Sequence, residues 1–349
     1  MRLSVLDLVP VRSDQTTADA LIATRALART ADELGYHRYW IAEHHNMPAV
    51  AATNPPVLIA FVAAATQRIR VGSGGVMLPN HAPLVVAEQF ALLEAAYPGR
   101  IDLGIGRAPG TDPVTSYALR HGAGGVEADA AAVSNFPTYV DNVIAMMSPE
   151  GVGLQVNGRV HALNATPQAR SAPPVWLLGS SDYSAGLAAA RGLPYVFAHH
   201  FSGDGTQQAL ELYRNGFQPS EQLAAPRTFL TANAVVAATQ EDAEALALPQ
   251  IQAMVALRTG GELKRQRLVH LGETTPFPDA HLPLVEAMRR RWLIGTPERV
   301  ATQLRGLAAT FDVDEVMVNP VAGAFAGTPV DASPAREETL RLLAAEFLA

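Results

Sequence analysis

Short apolar runs alternate with amphipathic stretches along the chain. Leu3–Leu8 reads as a strand, and Thr16–Gly35 as a helix with Leu21, Thr24, Leu27, Ala31 and Leu34 on one stripe. Thr16 and Asp19 form its capping pair, and Gly35 stops it. The pattern then repeats. Strands are predicted at 39–42, 69–73, 101–104, 175–178, 195–198, 229–237 and 315–319. Helices are predicted at 54–67, 83–96, 126–147, 183–191, 206–215, 241–257 and 334–347, the last with Ser333 as N-cap and Pro334 in the first turn. Strands that alternate with helices pair in parallel through right-handed crossovers. Eight such units fit a closed (β/α)8 barrel better than an open sheet, and residues 1–349 read as one domain.

Three segments interrupt the alternation. Residues 153–163 place Asn157-Gly158 between alternating positions, a two-residue hairpin signal. Residues 259–292 open with Thr259-Gly260-Gly261 and contain Pro276 and Pro278, which suggests a lid-like insertion. Residues 297–307, capped by Thr296, add a helix before the last strand.

Composition narrows the classes. The 26 basic residues are outnumbered by 33 acidic ones, so no basic surplus exists to neutralise nucleic-acid phosphates. With no cysteine, disulfides, thiolate nucleophiles and cysteine-ligated metals are excluded. No apolar run is long enough for a membrane span, and no signal peptide is readable, which predicts a cytoplasmic protein. Lys264 is the only lysine, so arginines follow a general bias and single ones are weak clues.

A barrel of this kind carries its chemistry where its strands end. There stand Asp7, Glu43-His44-His45-Asn46, Gly74-Gly75 with Asn80-His81 beyond, Gly104–Gly110, Gly179-Ser180-Ser181, and His199-His200. Adjacent strand residues point to opposite sides, so only one histidine of each pair can face the mouth, and no metal site is expected. Gly179–Ser184 links a strand to a helix, where free N–H groups and serine hydroxyls suit an anion, and Arg107 could add its guanidinium. Gly72, Gly74 and Gly75 permit the close approach of a flat ligand or a non-prolyl cis bond. The dinucleotide GxGxxG after strand one, the P-loop and GxSxG are absent.

The strings Trp40–His45, Val71–Glu94 and Pro98–Asp112, with Arg191–Pro194 after the serine loop, resemble the bacterial luciferase-like flavin-dependent oxidoreductases, and among them the single-chain luciferase-like monooxygenases. The resemblance runs from residue 1 to about 200 and returns at 295–319. It implies a barrel that takes reduced FMN from a separate flavin reductase. Oxygen then forms a C4a-peroxyflavin that oxidises a small organic substrate. By the same resemblance His44, beside Glu43, is catalytic, and a cis bond at Gly74-Gly75 lies under the flavin ring. Gly106, Arg107, Gly179, Ser180, Ser181 and Ser184 surround the cofactor. Asp7, His45, His81 and His199 (or His200) are candidates for the substrate side. Luciferase has a cysteine where Gly106 stands and a glutamate where Ser180 stands, which speaks against light emission. Residues 259–290 correspond to the luciferase lid, and Arg289–Arg291 could reach the phosphate. A homodimer through the second and third helices is implied. Deazaflavin-dependent hydride transfer and non-catalytic flavin binding are the alternatives.

Overall fold

The computed structural model describes residues 1–108, 112–120, 131–166, 168–270 and 277–348. The strands are β1 (Arg2–Asp7), β2 (Arg38–Ile41), β3 (Arg70–Ser73), β4 (Val76–Met77), β5 (Ile101–Gly106), β6 (Val152–Val156), β7 (Arg159–Leu163), β8 (Val175–Gly179), β9 (Tyr195–Phe197), β10 (Thr228–Val236), β11 (Leu293–Gly295) and β12 (Glu315–Pro320). The helices, numbered in chain order, are α1 (Thr17–Glu33), α2 (Pro55–Ala63), α3 (Pro83–Ala96), α4 (Pro113–Leu119), α5 (Phe136–Met146), α6 (Asp182–Arg191), α7 (Thr206–Gly216), α8 (Gln240–Arg258), α9 (Leu282–Arg291), α10 (Pro297–Phe311) and α11 (Pro334–Phe347).

Parallel pairing runs β10-β12-β1-β2-β3-β5-β8-β9 and closes from β9 back to β10, so eight strands form a barrel. The eight predicted strands are these eight. The capping box of Thr16 and Asp19 is formed. The hairpin β6–β7 turns through Asn157 and Gly158, both at positive φ, as a two-residue turn with the twist of the strands requires. Of the predicted helix 126–147, residues 126–130 lie outside the described residues, and α5 covers its second half.

Alternation fixes what fills the barrel. At the floor Arg38 bonds Glu315 (Nε to Oε1, 2.7 Å) and Asp102 (Nη1 to Oδ2, 2.7 Å), while Arg70 holds the other oxygen of Asp102 and Ser4 donates to Glu315. Burial works against ionisation of Asp102, but Arg38 and Arg70 outweigh it and hold its pKa below the ordinary value. Two residues further along, Leu6, Trp40, Trp176, Val196, Phe229 and Met317 make an apolar layer. The rings of Trp40, Trp176 and Phe229 meet at 5.1–5.7 Å between centroids. Such contacts add about 0.5–1.5 kcal/mol each beyond area burial. Gly72 has to be a glycine because a Cβ there would stand 2.7 Å from the Trp40 indole nitrogen and 2.6 Å from the Asp102 carbonyl. The same parity brings Gly106, Leu178, Thr231, Asn233 and Asn319 to the next level, beneath the mouth.

A second apolar cluster covers part of that mouth. Val235, Leu246, Ile251, Val255, Val269, Val285, Met288, Trp292 and Val321 pack together, drawing on α8, α9 and the ends of β10 and β12. The expected insertion is therefore anchored over the barrel, and α9 is a helix the sequence pattern did not indicate. Residues 271–276 of it lie outside the described residues. Pairing also places β11. Leu230 pairs with both β9 and β12, and Ala234 with both β11 and β12, so β11 continues the β9 side of β10 at its upper end. The chain leaving α9 thus enters directly above β9.

Candidate active site

Four rims of the mouth carry the polar groups. The first is the end of β2. Trp40 points into the barrel, and Glu43, His44 and His45 follow in the loop after β2. The Nδ1 of His44 is buried with no hydrogen-bond partner. Burial lowers its pKa, Glu43 opposes that, and His45 adds to it. His44 is therefore a neutral imidazole with a free ring nitrogen at neutral pH.

Glu43 is buried and fully engaged. Its Oε1 accepts from the Nε2 of His45 and of His81, both at 2.7 Å, and its Oε2 accepts from Met77 N at 3.0 Å. Burial disfavours its charge, but the bonds from His45 and His81, the charge of His81 and the Met77 amide outweigh this and hold its pKa at about 2. Glu43 thus ties the end of β2 to the turn after β4. It braces the loop that carries His44, with both oxygens engaged by neighbouring groups. Glu43, His45 and His81 could geometrically surround a metal ion. Without an ion, the Nε2 atoms of both rings bond to the same Glu43 oxygen. The sequence reading did not foresee that His45 and His81 would share one carboxylate.

The second rim is the end of β3 and β5. The Gly74-Gly75 peptide is cis, as its glycines suggested. A Cβ on Gly75 would come within 2.8 Å of the Gly104 carbonyl, and one on Gly104 within 2.1 Å of the Ser73 carbonyl. These glycines let β3 and β5 press together. Gly106 differs: a Cβ there would meet only the Val76 carbonyl, at 3.9 Å, so it borders open space.

The third rim joins Arg107 to α6. The guanidinium of Arg107 lies 4.0 Å from the centroid of the Tyr183 ring, in the first turn of α6. Ser181 is the N-cap but its side chain makes no capping bond. Ser184, buried one turn on, abuts Gly179, where a Cβ would clash with its Oγ at 2.6 Å. Ser180 is exposed beside them. Ser181, Ser184 and the first N–H groups of α6 thus share the start of that helix, and Arg107 stacks on a ring of its first turn.

The fourth rim is the end of β9. His200, not His199, has the inward parity of Val196. The Thr231 hydroxyl lies 2.6 Å from His200 Nδ1 and 3.3 Å from the Phe197 carbonyl oxygen. Burial first, then His44, His199 and Arg291, push the His200 pKa down to about 3. Asn233 holds the His200 carbonyl and bonds to Asn319. His200, Thr231, Asn233 and Asn319 were missed as a group; strand parity counted from Phe229 would have found the last three.

Two expectations are corrected by the same parity. Asp7 faces outward from β1 and is wholly buried. One of its oxygens accepts from Val9 N and Arg336, the other from Thr24 and Tyr39. It locks β1 to α1 and α11 and lines no mouth. His199 also turns outward, to Thr206 at 2.8 Å and to the edge of Phe311. Burial and then Arg291 lower its pKa to about 4. Of the three closing arginines, Arg289 pairs with Glu244 at 2.9 Å and is held away from Arg107.

The mouth of the barrel thus joins a neutral histidine, a cis glycine pair and a serine-bearing helix start. The sequence pattern of the luciferase-like monooxygenases matches residues 1–313, and the chain belongs to that family. It is 41% identical to a luciferase-like monooxygenase of Escherichia coli, over 90% of each chain. It is 34% identical to the N-acetyl-S-alkylcysteine monooxygenase of Bacillus subtilis, over 93% of this chain and 94% of that one. The structure of apo-MsnO8 superposes with a TM-score of 0.85 at 32% identity, covering 99% of this chain and 98% of the other. Two further structures share the fold alone. One is the oxygenating constituent of 3,6-diketocamphane monooxygenase from Pseudomonas putida in complex with FMN, with a TM-score of 0.70 at 18% identity and coverage of 99% and 97%. The other is an F420-dependent secondary alcohol dehydrogenase, with a TM-score of 0.63 at 14% identity and 98% of both chains covered. Among the described residues no helix is long and apolar enough to cross a membrane.

Proposed function

We propose that this protein is a monooxygenase that binds reduced FMN, supplied by a separate reductase, and uses oxygen to oxidise a small organic substrate at the barrel mouth. The observation that carries the reading is Arg107 stacked on Tyr183 in the first turn of α6, the helix that Ser181 caps and Ser184 enters. That spot offers a guanidinium, two hydroxyls and helix N–H groups to a phosphate. When bound there, FMN with oxygen supplies the oxidising chemistry. This chain's residues do the rest. Gly74, Gly75 and Gly106 leave room for a flat ring beside β3 and β5. The apolar cluster of α8 and α9 would keep water from the bound ring. His44 offers a neutral Nδ1 that can take or return a proton at the reacting centre.

FMN and riboflavin differ only in the phosphate, so equilibrium binding of the two tests the cradle. FMN should bind at least tenfold tighter than riboflavin, as a charge-assisted phosphate contact of about 1.5–3 kcal/mol requires. Arg107→Ala should remove most of that difference and leave riboflavin unchanged. Equal binding of the two flavins by the native protein, or tight binding of a deazaflavin with none of FMN, would replace this reading with the hydride-transfer alternative.

A further inference from the structure

Beside His44, three side chains from two segments meet at one point. Glu43 and His45 lie in the loop after β2, and His81 lies in the turn that follows β4. Their ligand atoms, one carboxylate oxygen and two imidazole nitrogens, all fall within 4.8 Å of one another. The Nε2 of His45 and the Nε2 of His81 each stand 2.7 Å from the same oxygen, Oε1 of Glu43. Met77 N donates to Oε2 at 3.0 Å and fixes the orientation of the carboxylate. Of the adjacent pair His44 and His45 only His45 joins this point, and His81, from another strand end, supplies the second imidazole that the sequence pattern did not.

The surroundings of Glu43 set it apart from the other buried carboxylates of the barrel. Asp7, Asp102 and Glu315, on the strands themselves, are each answered by arginine: Asp7 by Arg336, Asp102 by Arg38 and Arg70, Glu315 by Arg38. Glu43 is as deeply buried, with 1% of its side chain exposed. Among the described residues no arginine or lysine pairs with it; its partners are the two imidazoles and one amide. A carboxylate withdrawn from water needs a compensating charge. The place for a cation here lies between its oxygen and two ring nitrogens. That place is reachable from solvent, since the side chains of His45 and His81 are 14% and 30% exposed.

We infer that Glu43, His45 and His81 form a binding site for a divalent transition-metal ion of the zinc class. Two imidazoles and a carboxylate are donors that Zn²⁺ takes, whereas Mg²⁺ and Ca²⁺ favour sites built of oxygen alone. Tetrahedral bonds of about 2.0–2.1 Å hold ligand atoms ~3.3 Å apart, so each ring need withdraw from Oε1 by only ~0.6 Å to admit the ion. Three protein ligands leave a fourth position open to solvent. Glu43 and His45 flank His44, so the ion clamps the segment that carries it to the turn after β4. The site is independent of the flavin reading, because none of its ligands belongs to the phosphate cradle at Arg107 and α6.

The probes are ZnCl₂ and MgCl₂, titrated by calorimetry into the full chain after treatment with a chelator and without flavin. Zinc should bind at one site per chain, ~100-fold or more tighter than magnesium. His81→Gln and His45→Gln should each weaken zinc about 100-fold or more, because each removes one of three ligands. His161→Gln removes an exposed histidine of the β6–β7 hairpin and should leave the zinc affinity as it is. Zinc should also raise the melting temperature of the native chain and not that of His81→Gln. Circular dichroism checks that the variants fold, and either ligand variant suffices if the other does not. The inference is overturned if the native chain binds zinc no tighter than magnesium, or if tight binding survives in a folded ligand variant. Loss of zinc binding in His161→Gln would also overturn it, by placing the ion on the hairpin. Failure of the FMN reading is separate. It shows as no FMN binding by the native protein, while the flavin-free titrations still report the zinc site.

Discussion

At the scale of single residues, parity along a strand decides which polar group meets the mouth. His200 bonds Thr231, an inward residue of β10, and Asn233 holds its carbonyl. Asp7 and His199 turn outward and are spent on Arg336 and Thr206. The sequence made each of these residues conspicuous, but choosing between neighbours needed the register, which only the identity of the apolar layer reveals. A pH dependence follows from the neutral histidines. In an unfolded chain His199 and His200 take up protons below about 6.5. In the folded protein they resist until about 4 and about 3. The unfolded state therefore binds more protons across that window, and stability falls as pH drops from 6.5 toward 4. Glu43 and Asp102 have lowered pKa values, so their contribution is intact above their unfolded values near 4 and does not produce this loss. Melting temperature measured from pH 7.5 to 4.5 should decline, and His200→Gln should flatten the decline. Parallel profiles for the two proteins would refute the assignment.

At the scale of elements, glycines at strand ends divide by what surrounds them. Gly104 is wedged against the Ser73 carbonyl, and Gly106, two residues on, faces open space. Gly104→Ala should lower the melting temperature and reduce soluble yield, because β3 and β5 cannot separate cheaply around the clash. Gly106→Leu should leave the melting temperature within a few degrees and weaken both FMN and riboflavin, because it fills the space without meeting the fold. Thermal unfolding and flavin titration of the two variants separate these outcomes, and equal damage to stability by both would contradict the geometry. Here the sequence was a good guide: the glycines, the hairpin at Asn157-Gly158 and the serine loop all carry local signals tied to φ or to a helix start. Helix α9 was not legible, because Pro276 and Pro278 just ahead of it suggest a loop, and its buried Val285 and Met288 serve the cluster above the barrel.

At the scale of the whole molecule, eight strand–helix units dictated the closed barrel, since parallel crossovers and eight apolar runs leave little else. The contacts made across the chain were out of reach of the sequence, above all Glu43 with His81 and Arg291 with Gly203. Assembly is a further property of this scale. Val57 on α2 and Val85 and Leu92 on α3 are 63%, 48% and 55% exposed, an apolar face suited to a second copy of the chain. We propose a homodimer through these helices. Light scattering should give twice the chain mass, falling toward one on dilution of Leu92→Asp, whereas a native monomer at all concentrations would exclude it. The account as a whole turns on oxygen chemistry at His44. The most direct test mixes the protein and anaerobic reduced FMN rapidly with oxygenated buffer and follows flavin reoxidation. The account predicts reoxidation through a phase slower than that of free reduced FMN, with that phase lost or changed about 10²–10⁴-fold in rate by His44→Ala while FMN affinity holds. Reoxidation at the free-flavin rate in the native protein would contradict it.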